Sequence, residues 1–178
     1  MNYAQIRSLD IANGEGVGVA LFVSGCPFHC KECFNQEAWD YDYGNEFTWD
    51  TMEQIMDLAR KPYIQRISIL GGEPLAEKNV IWVGGILKTL HDDLQGKKIW
   101  VYSGYTYEEL DETQLVAISY ADVLVDGRFI EEEKDLQLKF RGSRNQRVID
   151  IAAMRAAGDW DNIIIRKGYE IEGDEKGA

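Results

Sequence analysis

The sequence predicts a single α/β domain built on a parallel sheet, which is either open or closed into a partial (β/α) barrel. Short apolar runs alternate with stretches in which apolar residues recur at helical spacing, and this alternation is typical of parallel strands joined by crossover helices. The 178 residues show no internal repeat, low-complexity tract or linker. A chain of this length is therefore expected to form one domain with a substantial core.

Four short segments rich in apolar residues are predicted to be strands, because each stops at a turn, and the first is a compact apolar run typical of a buried strand. They are residues 17–23, 66–70, 98–102 and 123–125. Three of these runs are followed by glycine beside a polar or reactive residue, at Gly25-Cys26, Gly71-Gly72-Glu73 and Ser103-Gly104. Because ligands bind at the C-terminal ends of parallel strands, these three motifs are predicted to converge on one rim of the sheet.

Three helices are predicted between the strands from apolar residues at helical spacing. They cover residues 50–60, about 83–94 and about 106–119. The first is predicted to be capped by Asp50 with Glu53, and the third by a capping box of Thr106 with Glu109. Residues 1–151 are expected to form the main domain and residues 152–178 an extension. That extension should contain a short helix, a strand at 163–166 and, over 169–178, an acidic mobile tail.

The composition excludes several classes of function. The formal net charge of −12 argues against nucleic-acid and anionic-membrane binding, which require cationic surface. No run of about 18 apolar residues is present, so no membrane span is expected. The first twenty residues lack the basic start and apolar stretch of a secretory signal. The chain is therefore expected in the reducing cytoplasm, where clustered thiols indicate metal binding.

All three cysteines, Cys26, Cys30 and Cys33, lie within eight positions. Thiolates favour zinc, copper(I) or iron–sulfur clusters. A zinc site would need a fourth ligand, for which His29 is the candidate, although ligation by both His29 and the adjacent Cys30 is awkward. A four-iron cluster held by three cysteines leaves one iron open to a small molecule. The spacing favours the open cluster over zinc, and over three inert thiols.

This CxxxCxxC spacing resembles the cysteine motif of the radical S-adenosylmethionine enzymes. Most members of that family carry an aromatic residue just before the last cysteine, whereas here Glu32 occupies that position and Phe34 follows the cysteine. The GGEP turn at residues 71–74 is similar to a second motif of the same family. More narrowly, the chain resembles the activating proteins of anaerobic (class III) ribonucleoside-triphosphate reductases. That similarity rests on NYAQIRSLDIANGEG, LFVSGCPFHCKECFN, GGEPL, IWVYSGYTYEEL, DVLVDGRF and FRGSRNQRVID, and it covers roughly residues 2–151.

The resemblance implies a fold of the radical S-adenosylmethionine type, a 4Fe-4S cluster on the three cysteines, and S-adenosylmethionine chelating the open iron. The residues implied to contact this second cofactor are Glu32, Cys33, Phe34, Gly71, Gly72 and Glu73. The glycine turn would bond the amino group, with Glu73 as a further acceptor, and Phe34 would offer an apolar surface to the adenine. Ser103 and Asp126 are weaker candidates for the ribose. No catalytic acid or base is implied.

The resemblance also implies a protein substrate, because such activating proteins generate a glycyl radical on the reductase. A flavodoxin-like carrier would supply the electron. Arg141, Arg144 and Arg147 form a basic segment, which is either a solvated loop or a contact near the site's mouth or with the partner. Two other functions remain open: activation of another glycyl-radical enzyme, such as formate acetyltransferase, and a non-catalytic zinc-binding module.

Overall fold

The computed structural model describes residues 1–170, which form a mixed α/β domain on a seven-stranded sheet. The strands are β1 Asn2–Asp10, β2 Gly18–Val23, β3 Asn45–Glu46, β4 Arg66–Gly71, β5 Lys98–Tyr102, β6 Val123–Asp126 and β7 Arg147–Asp150. Their order in the sheet is β3-β1-β2-β4-β5-β6-β7. Strands β2, β4, β5 and β6 are parallel. The α-helices are α1 Trp49–Ala59, α2 Val80–Asp93, α3 Glu112–Ile118 and α4 Ile151–Ala157.

The four predicted strands are confirmed as the parallel centre of the sheet, and each is buried along most of its length. The antiparallel strands β1, β3 and β7 at the two sides were not predicted. Strand β1 is only partly buried along most of its length, so its sequence carries no continuous apolar run. The linear order from β3 to β7 is compatible with both predicted forms, an open sheet and a partial barrel.

Two predicted helix caps need correction. Helix α1 is capped by Thr48, whose side chain accepts a hydrogen bond from the Thr51 N–H, and not by Asp50 with Glu53. The capping box of Thr106 with Glu109 is present, but it opens only a 3-10 turn, Tyr107–Glu109. Helix α3 starts separately, at a second box formed by Asp111 and Gln114. The chain leaves helical conformation between them because Leu110 has a ψ of 132°.

The two faces of the sheet differ in what covers them. On one face, side chains such as Leu21, Ile69 and Val101 join the buried residues of the helices in the main hydrophobic core. The opposite face, called here the second face, carries Trp100, Val123, Val125 and Val148 on one side and Ala20, Phe22 and Leu70 on the other. Tyr102 packs against both of these smaller groups. This second face borders a cleft at the C-terminal ends of the parallel strands.

Residues beyond β7 add a short piece to the sheet. Ile165 forms an isolated antiparallel bridge with Ile149, in place of the predicted strand at 163–166. Tyr169 was predicted to start a mobile tail, but it is only 6% exposed and packs against Trp100 and Phe140. The rest of that predicted tail, residues 171–178, lies outside the described residues. Within residues 1–170, no helix has both the length and the apolar character needed to cross a membrane.

Candidate functional site

A cleft of about 510 Å³ lies at the C-terminal ends of the parallel strands. All eight residues that were predicted to hold the cluster or its partner cofactor line it: Cys26, Glu32, Cys30, Cys33, Phe34, Gly71, Gly72 and Glu73. Ser103 and Gly104 at the end of β5 line it as well. The convergence of the three strand-exit motifs on one rim is therefore confirmed. It follows from the parallel register, in which Val23, Gly71 and neighbouring strand ends lie side by side.

The cysteine loop leaves β2 and is fixed at its base. The Gly25 N–H donates to the Ala38 carbonyl at 2.8 Å and the Cys26 N–H to the Trp39 carbonyl at 3.1 Å. Further along, the Cys33 N–H donates to the Cys30 carbonyl at 3.2 Å. His29 and Glu32 adopt left-handed conformations with φ of 48° and 57°, which non-glycine residues rarely do outside tight turns. These turns reverse the chain, and all three cysteines line the cleft.

The three thiols are free and partly buried. Burial is the main cause that raises the pKa of the Cys26 thiol, and burial together with the neighbouring Cys33 raises the pKa of Cys30. Such thiols ionise readily only when a cation or metal compensates the charge. Main-chain hydrogen bonds from Phe28 and His29 to Cys26 already favour its thiolate.

The donor set fits an iron–sulfur cluster. Within residues 1–170, no three His, Cys, Asp or Glu side chains stand close enough to hold a single metal ion. A four-iron cluster binds each thiolate at a separate corner, so its ligands are spread more widely than those of one ion. His29 is outside the cleft lining, and its ring lies against Trp39 at a centroid distance of 4.6 Å.

The glycine turn after β4 packs tightly on the cysteine loop. The Gly72 N–H donates to the Val23 carbonyl at 2.8 Å and the Glu73 N–H to the Gly25 carbonyl at 2.7 Å. A Cβ added to Gly72 would stand 2.4 Å from the Gly25 carbonyl oxygen, and Gly71 has a φ of +116°. Glycine is thus required here because protein backbone approaches closely. An ammonium group can only donate hydrogen bonds, so the turn would bind it through carbonyl oxygens.

Glu73 is buried and links the turns that follow β4 and β5. Its carboxylate accepts hydrogen bonds from the Leu75 N–H at 2.8 Å, the Ser103 hydroxyl at 2.8 Å and the Gly104 N–H at 2.6 Å. Burial raises the pKa of the Glu73 carboxyl to about 7, and these three hydrogen bonds oppose the rise. Its carbonyl oxygen accepts from the Asn79 side chain, which also donates to Ser24. The Glu73 carboxylate thus connects the turns after β4 and β5 at the rim of the cleft.

Phe34 is 83% exposed although it is a large apolar side chain. It lies at the mouth of the cleft, where a flat ligand could cover it. Asp126, a candidate for the ribose, does not line the cleft. It is fully buried, and its carboxylate accepts hydrogen bonds from the Tyr107 N–H at 2.8 Å and from the Arg147 guanidinium. Asp126 therefore joins β6 to β7 and to the Tyr107 turn.

The three arginines of the basic segment have different positions. Arg147 pairs with Asp126 and Glu108 and belongs to the sheet edge. Arg144 is exposed and pairs with Asp135 at 2.8 Å. Arg141 alone lines the cleft, and its guanidinium donates to the Gln146 carbonyl at 3.1 Å.

Arg128 and Tyr102 are two of the cleft residues that were not identified from the sequence. Arg128 follows the turn after β6, and its guanidinium lies 4.3 Å from the centre of the Phe28 ring. Its positive charge lowers the pKa of the Cys30 thiol, against the larger effect of burial. Tyr102, the last residue of β5, also lines the cleft. A signal for Arg128 was available, because it directly follows the Asp126-Gly127 strand exit.

Comparison with known proteins identifies the family of this chain. Residues 12–149 match the family model described as a 4Fe-4S single cluster domain. A protein of Haemophilus influenzae is 42% identical over 149 residues, which is 82% of this chain and 96% of that protein. A protein of Vibrio cholerae is 39% identical over 148 residues, again 82% of this chain and 96% of its own length. Both are named anaerobic ribonucleoside-triphosphate reductase-activating protein.

The chain belongs to this family of activating proteins. A more distant member, from enterobacteria phage T4, is 36% identical over 150 residues, covering 83% of this chain. The family model includes the cysteine loop, the GGEP turn and the end of β5, so the whole rim of the cleft lies within it. It stops at residue 149, near the end of β7. Helix α4 and Tyr169 are additions beyond that model.

Proposed function

We propose that this chain activates an anaerobic ribonucleoside-triphosphate reductase by radical S-adenosylmethionine chemistry. The observation that carries the proposal is one cleft in which three free thiols face the GGEP turn and the end of β5. The names of the relatives support the choice of reductase.

The proposed reaction has two steps. One electron enters the sulfonium of S-adenosylmethionine and its bond to the 5′ carbon breaks, which gives methionine and a 5′-deoxyadenosyl radical. That radical takes a hydrogen atom from the α-carbon of a glycine in the reductase. The products are 5′-deoxyadenosine and a glycyl radical, so no acid or base is needed. The electron comes from outside the chain, and a flavodoxin-like carrier in the cytoplasm is the proposed donor.

Cys26, Cys30 and Cys33 would hold the 4Fe-4S cluster. When bound, the cluster supplies the electron and an iron site that lacks a protein ligand. The carbonyl oxygens of the Gly71-Gly72 turn would accept from the amino group of the methionine part. Glu73 positions this turn, because its carboxylate bonds to the end of β5.

The adenine is proposed to lie against Phe34 and the main chain of Glu32 and Cys33. Phe34 is exposed in the structure, and covering its ring with a base would remove apolar surface from water. Leu136 lies at the same mouth and is 90% exposed. The apolar mouth suits a protein substrate, which would exclude water from the radical as it docks.

The test is anaerobic reconstitution with iron and sulfide, followed by reduction in the presence of S-adenosylmethionine and the reductase. We expect 5′-deoxyadenosine and a glycyl signal in electron paramagnetic resonance, both lost in Cys30→Ala. The matched control is Ser119→Ala, which removes a half-buried hydroxyl outside the cleft. A colourless, inactive reconstituted protein would refute the proposal. If a glycyl signal forms with formate acetyltransferase but not with the reductase, the protein substrate is a different glycyl-radical enzyme.

A further inference from the structure

The cleft extends beyond the residues assigned to the cluster and to S-adenosylmethionine. Those residues lie at the rim, in the loops that follow the strands. The cleft continues over the second face to Ala12 and Asn13, which precede β2. Asn13 lies opposite the middle of β4, since its carbonyl oxygen accepts from the Ser68 hydroxyl. Leu70 and Tyr102 line the section between the rim and Asn13. This inner section has no ligand in the proposed function.

Tyr102 brings an unsatisfied donor to this inner section. Its hydroxyl is buried and has no hydrogen-bond partner among the described residues. The ring is held in place, because it stacks on Trp100 at a centroid distance of 6.5 Å and packs against Leu70. A buried hydroxyl without a partner is costly, and phenylalanine would fill the same space without that cost. The hydroxyl therefore points to a partner that binds in the cleft.

The hydroxyl is able to donate to a hydrogen-bond acceptor. Burial raises the pKa of the Tyr102 hydroxyl well above its usual value, so the group stays protonated and can donate. The nearby Asp10 does not serve as the acceptor for this hydroxyl, because its carboxylate accepts from Arg66 and Asn13 instead. Leu70 and Phe140, which line the same cleft, bring only apolar side chains to it.

We infer that Tyr102 is a positioning residue that donates a hydrogen bond to a main-chain carbonyl of the glycine-bearing segment of the protein substrate. This inference rests on the proposed function. A glycine has no side chain, so an activating protein can fix it only through the main chain of the segment around it. A rigid buried donor at the end of β5 would hold such a segment in the cleft, next to the rim where S-adenosylmethionine is proposed to bind. S-adenosylmethionine is a less suitable acceptor, because its proposed contacts all lie at the rim.

The test is Tyr102→Phe in the reconstituted holoprotein, with Tyr63→Phe as the matched control at an exposed site outside the cleft. With the whole reductase as substrate, we expect the rate of glycyl-radical formation at low reductase concentration to fall about tenfold, which is the size of one lost hydrogen bond. Cleavage of S-adenosylmethionine without reductase, and its dissociation constant, should be unchanged. The ratio of 5′-deoxyadenosine to glycyl radical should therefore rise.

The free energy of unfolding separates this role from a structural one. If the hydroxyl forms a hydrogen bond only with the protein substrate, Tyr102→Phe should be at least as stable as the parent chain. A marked loss of stability would show that an internal water bridges the hydroxyl to the protein, and would overturn the inference. Weaker binding of S-adenosylmethionine, or an unchanged rate with the reductase, would overturn it too. If the parent chain itself forms no glycyl radical, the proposed function fails instead.

Discussion

The carboxylate of Glu73 lies 2.8 Å from the hydroxyl of Ser103, and this hydrogen bond joins the exits of two neighbouring parallel strands. The same carboxylate accepts from Gly104, whose added Cβ would stand 2.5 Å from the Phe28 ring in the cysteine loop. Three segments that are distant in sequence therefore meet around one buried side chain. The arrangement of the rim depends on this contact.

The burial of Glu73 predicts a pH dependence of stability. Its folded-state pKa of about 7 is above the ordinary value of 4.5, so between these values the folded chain holds a proton that the unfolded chain has released. The free energy of unfolding of the cluster-free chain should therefore fall as pH rises, by up to about 3 kcal/mol between about pH 5 and pH 8. Cys26 and Cys30 keep their protons in this window, because burial raises the pKa of both.

Denaturant unfolding of the parent chain and of Glu73→Gln across this range measures the effect. The variant lacks the titrating group, so the difference in free energy between the two should change with pH. Parallel curves for the two proteins would contradict the assignment of the pH dependence to Glu73.

Arg128 is expected to raise the reduction potential of the bound cluster. Its charge lies beside the cysteine loop and already favours the Cys30 thiolate. Arg128→Gln should lower the midpoint potential by roughly 10–40 mV, the range for an exposed charge worth up to about 1 kcal/mol in a one-electron couple. A redox titration measures this, with Lys139→Gln as the control because Lys139 is exposed outside the cleft. An equal shift in both variants would rule out a local effect of Arg128.

Phe34→Ala should weaken binding of S-adenosylmethionine without affecting stability. The ring is 83% exposed, so its loss should change the free energy of unfolding by less than about 0.5 kcal/mol. Stacking on a base is worth about 1–3 kcal/mol, which predicts a dissociation constant at least about fivefold higher. Isothermal titration of the reconstituted protein checks this, with Ile11→Ala as an equally exposed control. Unchanged affinity would remove Phe34 from the adenine contact.

Tyr169 is predicted to stabilise the second face of the sheet. It is 6% exposed, packs on Trp100, and its hydroxyl donates to Glu15 at 2.8 Å. Tyr169→Ala should lower the free energy of unfolding by about 3 kcal/mol, as for other buried aromatic residues. Tyr63→Ala, at a position 52% exposed, should have little effect. Equal stability of the two variants would mean that the segment around Tyr169 is detached in solution.

The central strands and the composition of the rim could be predicted from sequence because both depend on local patterns. A strand buried on both faces shows a continuous apolar run, as residues 18–23 do. The C-terminal end of such a strand lies at the edge of the sheet where ligands bind. Strands β1 and β7 carry no such run, and their pairing depends on tertiary contacts such as that between Arg147 and Asp126.

The inner part of the cleft could not be predicted for a related reason. Tyr102 is simply the final residue of an apolar strand, and only the structure shows that its hydroxyl lacks a partner. Asp126 illustrates the reverse case. Its position at a strand end suggested a ligand contact, but its carboxylate accepts a hydrogen bond from Arg147 instead.

The most direct test of the central claim is Mössbauer spectroscopy of the protein reconstituted with ⁵⁷Fe, recorded with and without S-adenosylmethionine. The account predicts a four-iron cluster in which one iron changes its parameters when S-adenosylmethionine is added, because only that iron lacks a cysteine. Spectra in which every iron is already coordinated by the protein and none responds would contradict the account.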